Sequence, residues 1–288
     1  MKNILPIAFI LGVLITLWYV AAVFMNLALQ RDQFANADRA EVSFQELAAA
    51  DLNMERPKLP APHQIVAELN KTVFETPVTS KRSLVYHALV TMQETLLGFV
   101  IGAALGIGLA ILIVHIGLLE KSMMPWIVAS QTIPIIALAP MIVVILNQFD
   151  ITGILPKAVI AAYLSFFPVT VGIVKGLRSP DPLQMDLMRT YNASRAQTFF
   201  KLRAPASAPL FFASMKVAVA AALVGAVVAE VTKSEDGGLG ARLLAGSYYG
   251  QTVQIWAALF AAAALSATLV SLIGLADRLV ARRMGAVR

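Results

Sequence analysis

"MDLMRTYNASRAQTFFKLRAPASAP" (residues 185–209) separates two long apolar runs, yet it carries Asp186, Arg189, Arg195, Lys201 and Arg203. It is too polar to cross a bilayer and too patterned to be a slack linker. Just upstream, Asp181 is a good N-cap and Pro182 suits the first helical position. A helix over residues 182–191 places Leu183, Leu187 and Tyr191 on one stripe, with Met188 beside it. Asn192 tolerates the left-handed backbone that stops a helix. Ser194, followed by Gln197 three residues on, forms a capping box for a second helix that carries Phe199, Phe200 and Leu202. Pro205 and Pro209 then end the segment. The pattern predicts a helix–turn–helix with an apolar stripe and basic flanks. Such a device either lies among lipid headgroups, anchored by its arginines, or inserts into a groove on a partner.

The rest of the chain says where this device sits. Of the 288 residues, 58% are hydrophobic and 14% charged, and the mean hydropathy is +0.74. Soluble domains carry about a quarter charged residues. The apolar runs are continuous rather than alternating, so the backbone is satisfied within helices and not in a barrel. The expected fold class is an all-α polytopic membrane protein with about six transmembrane helices, near residues 4–29, 86–118, 124–146, 154–174, 210–231 and 253–275. The first run follows Lys2, exceeds the roughly 7–15 residues of a signal-peptide core and lacks a small-x-small cleavage site, so it reads as an uncleaved span. The second run is long for a 30 Å core and is expected to tilt or protrude.

Charge orients the spans. Lys175, Arg178, Arg189, Arg195, Lys201 and Arg203 fall between spans four and five; Arg278, Arg282, Arg283 and Arg288 follow span six; Lys121 lies between spans two and three. With Lys2, all lie on one side of a six-span chain, which the positive-inside rule makes cytoplasmic, with both termini. Moving the six cations of the fourth loop into lipid would cost about 15–20 kcal/mol at about 3 each. The net charge of +6 therefore reflects cytoplasmic loops and membrane lipid, not nucleic acid. Residues 30–85 then lie outside, mixing cations such as Arg39 with acids such as Asp38, Glu41 and Asp51. There "SFQELAAADL" predicts a short helix with Ser43 and Glu46 as a capping box. Pro62 opens an amphipathic helix with Ile65, Val66 and Leu69 on one side. The organisation expected is a first transmembrane helix (1–29), an external segment (30–85), a core of five spans (86–280) with the loop 178–209 inside it, and a basic tail (281–288).

Chemistry-bearing residues are sparse. The chain has no cysteine, so it forms no disulfide and no Cys-based metal or redox site. It contains no P-loop motif, no H-E-x-x-H and no G-x-S-x-G, so it is not expected to be an enzyme. His63, His87 and His115 are far apart and read as loop or interface residues. Glu94 is an acid well inside span two; an intramembrane ionisable group points to function by default, and its alternatives are structural pairing and substrate contact. Glu230 sits near the outer end of span five, within reach of water, as an outer-gate or structural group. Gly98, Gly102 and Gly106 repeat on one face of span two, which suits close helix packing. Span three holds Pro125, Pro134 and Pro140, and span four holds Pro168. Broken helices often line substrate paths, so Gln131, Thr132 and Pro134, with Glu94 and Glu230, are the pathway candidates.

Read with its surroundings, residues 185–230 resemble the cytoplasmic loop and following span of ABC-importer permeases. Asp186, Leu187 and Met188 stand at the family's E-A-A positions, Asn192 at its Gly, and Ala193 and Ser194 at the next two. Ala204 and Pro205 stand at L-P, and Pro209 at the last Pro. The acid is kept but shortened, the alanines are bulkier, and the glycine is Asn. "LPAPHQIVAEL", "ETLLGFVIGAALGIGLA", "SQTIPIIALAPMIVV", "FFPVTVGIVKGLRSPDP" and "AEVTKSEDGGLGARLL" extend the resemblance to the nitrate/taurine/sulfonate class, leaning to its branch for pyrimidine thiamine precursors and riboflavin-like compounds. The resemblance implies a type I, MetI-like permease of the bacterial inner membrane that imports a small organic solute. Two ATPase subunits, carrying ATP and Mg, would grip Asp186, Leu187, Met188, Arg189, Tyr191, Asn192, Ala193, Ser194 and Arg195. A second permease, identical or paralogous, and a periplasmic or lipid-anchored binding protein would complete the system. No cofactor is expected in this chain. The rival is an ion-coupled secondary transporter that uses Glu94 or Glu230.

Overall fold

The structure, a computed structural model, describes residues 4–36 and 43–284. Lys2, Asp38, Arg39, Glu41, Arg288 and the end of the basic tail lie outside the described residues. Among those described there are only helices and the turns between them. Five helices are long and apolar enough to cross a membrane, and a bent pair makes up to a sixth.

Two compact units emerge. The first comprises Met1–His87 and Ala241–Ala262. It contains α1 (Ile4–Asn36), α2 (Phe44–Leu52) and α3 (Pro62–Asn70), and it shares three helices with the second unit: α4 (Leu84–His115), α11 (Leu239–Tyr248) and α12 (Thr252–Arg283). Asn26 anchors the chain that precedes α3. Its Oδ1 accepts from the N–H of Lys58 (2.7 Å) and of Leu59 (3.2 Å), while its Nδ2 donates to the Leu59 carbonyl (2.9 Å). Trp18 donates to the Pro60 carbonyl, and its ring packs against Trp256 and Phe260. These bonds satisfy backbone that prolines 57 and 60 keep out of regular structure. Two local expectations fail here. Ser43 precedes α2 but makes no side-chain cap bond. On α3, Ile65 is buried while Val66 is exposed, because one turn of packing covers only a narrow face of so short a helix.

The second unit comprises Ala88–Gly240 and Ala263–Arg288. It adds α5 (Gly117–Ser130), α6 (Ile135–Gln148), α7 (Ile154–Leu177), α8 (Pro182–Thr190), α9 (Arg195–Thr198) and α10 (Ala204–Thr232). The sequence of α7 explains its central place. Its small residues let α4 approach on one side and α10 on the other. A Cβ on Gly98 would lie 2.4 Å from Ala161 Cβ, on Gly102 2.0 Å from Ser165 Oγ, and on Gly106 2.8 Å from Val169. Gly225 of α10 meets the Ala161 backbone equally closely, at 2.7 Å. The glycine repeat is therefore a packing face, as small residues in membrane helices commonly are. Ala110, Ile113, Val169, Ile173, Met215 and Ala218 fill the core between these helices.

Span three departs from a single helix. It consists of α5 and α6, which meet at 101° across residues 131–134. Pro125 and Pro140 lie inside their helices, as does Pro168 in α7; only Pro134 breaks the chain. The residue before a proline is pushed out of the α region, and Thr132 offers an alternative: its N–H and its hydroxyl both donate to the Ala129 carbonyl. The segment after Ser194 also differs from expectation. Pro205 and Pro209 do not end it. A single wide π-turn, Phe199–Arg203, carries the chain straight into α10, where Pro205 occupies the first turn and Pro209 lies inside. A first-turn proline sacrifices no intrahelical bond, and the wide turn still lets the Ala204 N–H reach the Phe199 carbonyl.

Candidate functional site

Two regions of the second unit concentrate polar chemistry. The first is buried. Lys157 on α7 donates to Glu94 Oε1 on α4 at 2.8 Å, and its Nζ also lies 3.3 Å from Asp236 Oδ2. Lys157 is 0% and Glu94 2% exposed. One turn before Glu94, the Thr91 hydroxyl donates to Glu230 Oε1 at 2.6 Å and accepts from the Leu239 N–H. Glu230 Oε2 accepts from the Gly240 N–H at 2.6 Å. Glu230 is 0% exposed, so the expectation that it reaches water is corrected: the chain at residues 238–240 folds over it. Gly238 (φ +111°) is required there, because a Cβ would lie 2.1 Å from Glu230 Cδ. Burying a charge demands a partner and good hydrogen bonds; Lys157 gives Glu94 a partner at Oε1 and both Glu230 oxygens are bonded, while Glu94 Oε2 is buried with no hydrogen-bond partner.

Sequence reading singled out Glu94 and Glu230 but not Lys157, Thr91 or Asp236. The signal for Lys157 was present: a lone cation at the start of span four is as anomalous as a lone acid in span two. The other pathway candidates lie elsewhere. Gln131 is half-buried, and Thr132 and Pro134 are exposed, all at the α5–α6 break. That break is tied to α7 by the Tyr163 hydroxyl, which donates to the Ser130 carbonyl. The structure thus joins Glu94 to Glu230 in one network and places Gln131, Thr132 and Pro134 in a second locus.

The other region is exposed. Asp181 Oδ1 accepts from the Leu183 N–H at 2.8 Å, and Gln184 closes the capping box. Asn192 adopts φ 49°, and the Ala193 N–H returns to the Met188 carbonyl. Ser194 and Gln197 cap α9 reciprocally, at 3.2 and 2.8 Å. The turn therefore survives without its glycine, because Asn enters the left-handed region at modest cost. Asp186 pairs with Arg189 within α8. Leu183 and Tyr191 are each 77% exposed and Leu187 is 55% exposed; Met188 is half-buried. Behind them, Met185, Arg189, Arg195 and Arg203 face His115 and Phe199 across a cleft of about 520 Å³. At the base of this segment, Arg178 grips both oxygens of Glu120, with Nη2 to Oε2 at 2.7 Å. The three histidines are local: His63 stacks on Tyr19, His87 contacts the Lys81 carbonyl, and His115 that of Ile111. Among the described residues no cluster of three metal-ligating side chains occurs.

A family model described as "Binding-protein-dependent transport system inner membrane component" matches residues 98–286. The "Probable ABC transporter permease protein" of Haemophilus influenzae is 32% identical over 184 residues, which is 60% of this chain and 74% of that protein. The "Formylaminopyrimidine transport permease protein ThiX" of Halalkalibacterium halodurans is 33% identical over 182 residues, 62% of this chain and 67% of that protein. The "Riboflavin transport system permease protein RibX" of Chloroflexus aurantiacus is 31% identical over 196 residues, 68% of this chain and 71% of that protein. The family match spans the exposed loop helix and the small-residue helical core to which it is joined. The chain belongs to the binding-protein-dependent transport system inner membrane components, the multi-pass, type I (MetI-like) permease subunits of ABC importers for small solutes.

Proposed function

We propose that this permease works in a pair around a path for a small organic solute, with an ATPase docked on residues 178–209 of each copy. The observation that carries this reading is the stripe Leu183, Leu187 and Tyr191. These side chains stay exposed on a helix fixed at its start by the Asp181–Gln184 capping box and stopped at its end by the left-handed turn at Asn192. An apolar face on a pre-ordered amphipathic helix suits insertion into a groove. The basic residues around it favour the cytoplasmic side. ATP and Mg bound by the ATPases would change the groove's hold on α8, and only a difference in contact between two states can shift the transporter between them. Arg178 bonded to Glu120, and α9 running through the π-turn into α10, make two mechanical routes from α8 to the spans.

The cargo belongs to the class of pyrimidine thiamine precursors or riboflavin-like compounds. The support is that two relatives above 30% identity are named for formylaminopyrimidine and riboflavin transport, while those named for sulfonate and nitrate are 25% and 24% identical. An external binding protein would select the solute.

The docking reading is tested by Leu187→Glu. Membrane levels should match wild type, while ATPase retention on purification and uptake are both lost. Wild-type retention in that variant overturns the docking assignment. The cargo is tested by uptake of a labelled aminopyrimidine against riboflavin and taurine in cells that carry the whole system; transport of taurine alone overturns the branch.

A further inference from the structure

A third concentration of charge lies within the first unit. Glu68, Lys71, Arg82, Arg242, Tyr249 and Gln254 line a cavity of about 570 Å³. Three cations there face one carboxylate. Among the described residues Lys71, Arg82 and Arg242 enter no ion pair. The Nε of Arg242 is shut off from solvent and has no hydrogen-bond partner. A buried donor left unbonded is destabilising, and natural proteins keep few of them. Burial pulls the Arg242 guanidinium below its ordinary range; Glu68 opposes this shift and the neighbouring Arg82 adds to it. Two guanidinium groups drawn together around an open space, with too little negative charge to balance them, are poised for an added anion. A planar guanidinium fork matches the oxygens of a carboxylate, sulfonate or phosphate. The volume suits a small molecule, within the range of ligand pockets. The exposed ring of Tyr249 and the amide of Gln254 offer an apolar wall and a polar contact for its remainder.

We propose that this cavity binds a small organic anion through Arg242 and Arg82, with Lys71 at its rim. The proposal does not depend on the ATPase or cargo assignments. It is tested with the full chain in nanodiscs of zwitterionic phosphatidylcholine, titrated with acetate, methanesulfonate or inorganic phosphate against chloride at equal ionic strength. A saturable rise in thermal midpoint is expected for at least one of the three. The apparent Kd should weaken by about tenfold or more in the double variant Arg82→Gln/Arg242→Gln, since both charge-assisted bonds are removed. Should that variant fold poorly, Lys71→Gln tests the same site from its exposed rim and should weaken binding about threefold. Arg56→Gln, an exposed cation of the same unit, should respond as wild type. No response above chloride in the wild type overturns the proposal, as does a response that survives the Arg and Lys substitutions. Charge variants that alter only the capture of an external protein also overturn it, since the site would then serve a macromolecule.

Discussion

Lys157 and Arg189 are cations on helices of the same unit, but their surroundings differ in kind. Lys157 is fully buried, with Glu94 at 2.8 Å and Asp236 at 3.3 Å. Arg189 is 78% exposed and bonds only Asp186, three residues away on its own helix. The partners of Lys157 are brought from positions 63 residues earlier and 79 residues later in the chain, so its environment is a product of the whole unit. Arg189's environment is a product of one helical turn. A charge inside a membrane protein must be matched by the fold, whereas a charge at its surface is left available for something outside the chain. The buried network consequently joins α4, α7 and α10 through the residue 236–240 loop, while the exposed helix is held by bonds within its own turns.

Substitutions can break or sharpen this contrast. The largest effect is expected from Lys157→Met, which strands the Glu94 carboxylate; loss of one partner of a buried pair costs about 3–5 kcal/mol. The purified protein should show a much lower thermal midpoint, and the double variant Glu94→Gln/Lys157→Met should recover most of it. A double variant no better than the single would remove the ion pair as the cause. Gly102→Ala comes next. Its Cβ would fall 2.0 Å from Ser165 Oγ and 2.8 Å from the Ala162 carbonyl, and overpacking of this kind costs about 1–3 kcal/mol. Pairing it with Ser165→Gly should restore part of the loss in a thermal scan. Gly238→Ala should cost a similar amount, near 2 kcal/mol, from backbone strain together with overlap on Glu230. Protease sensitivity at residues 233–240 should rise before global unfolding; unchanged cleavage there would deny the loop its role as a lid on Glu230.

On the exposed side the effects shrink. Asp181→Ala removes one cap, worth about 1 kcal/mol to the local helix. Hydrogen exchange within α8 should quicken about fivefold, the equivalent of that energy, while the midpoint of the whole chain stays put. ATPase retention should fall with it. Arg189→Gln is the smallest perturbation: an exposed pair within a helix contributes little, so stability should be unchanged and only the salt dependence of ATPase retention should move. A large drop in stability from Arg189→Gln would erase the distinction drawn here.

How much of this was legible beforehand varies by region. The helix–turn–helix of residues 181–198 was readable residue by residue, because N-caps, a left-handed stop and an apolar stripe are local devices that act within about four positions. Its continuation was not readable: prolines 205 and 209 look like breakers in one dimension, and only the π-turn that precedes them shows why the helix runs on. The same limit applied to span three, where three prolines were equivalent in the sequence but one alone turns the chain through 101°.

By itself the sequence determined the class of solvent, the rough position of the apolar spans and the local shape of the loop helix. Each of these follows from composition, periodicity or neighbouring residues. Only the tertiary structure decided that Glu94 is answered by Lys157, that Glu230 is sealed beneath Gly238, and that the Gly98–Gly102–Gly106 face receives α7. Pairings of that kind depend on which helices lie side by side, and in lipid that is settled by small-residue contact and buried hydrogen bonds spread over distant parts of the chain.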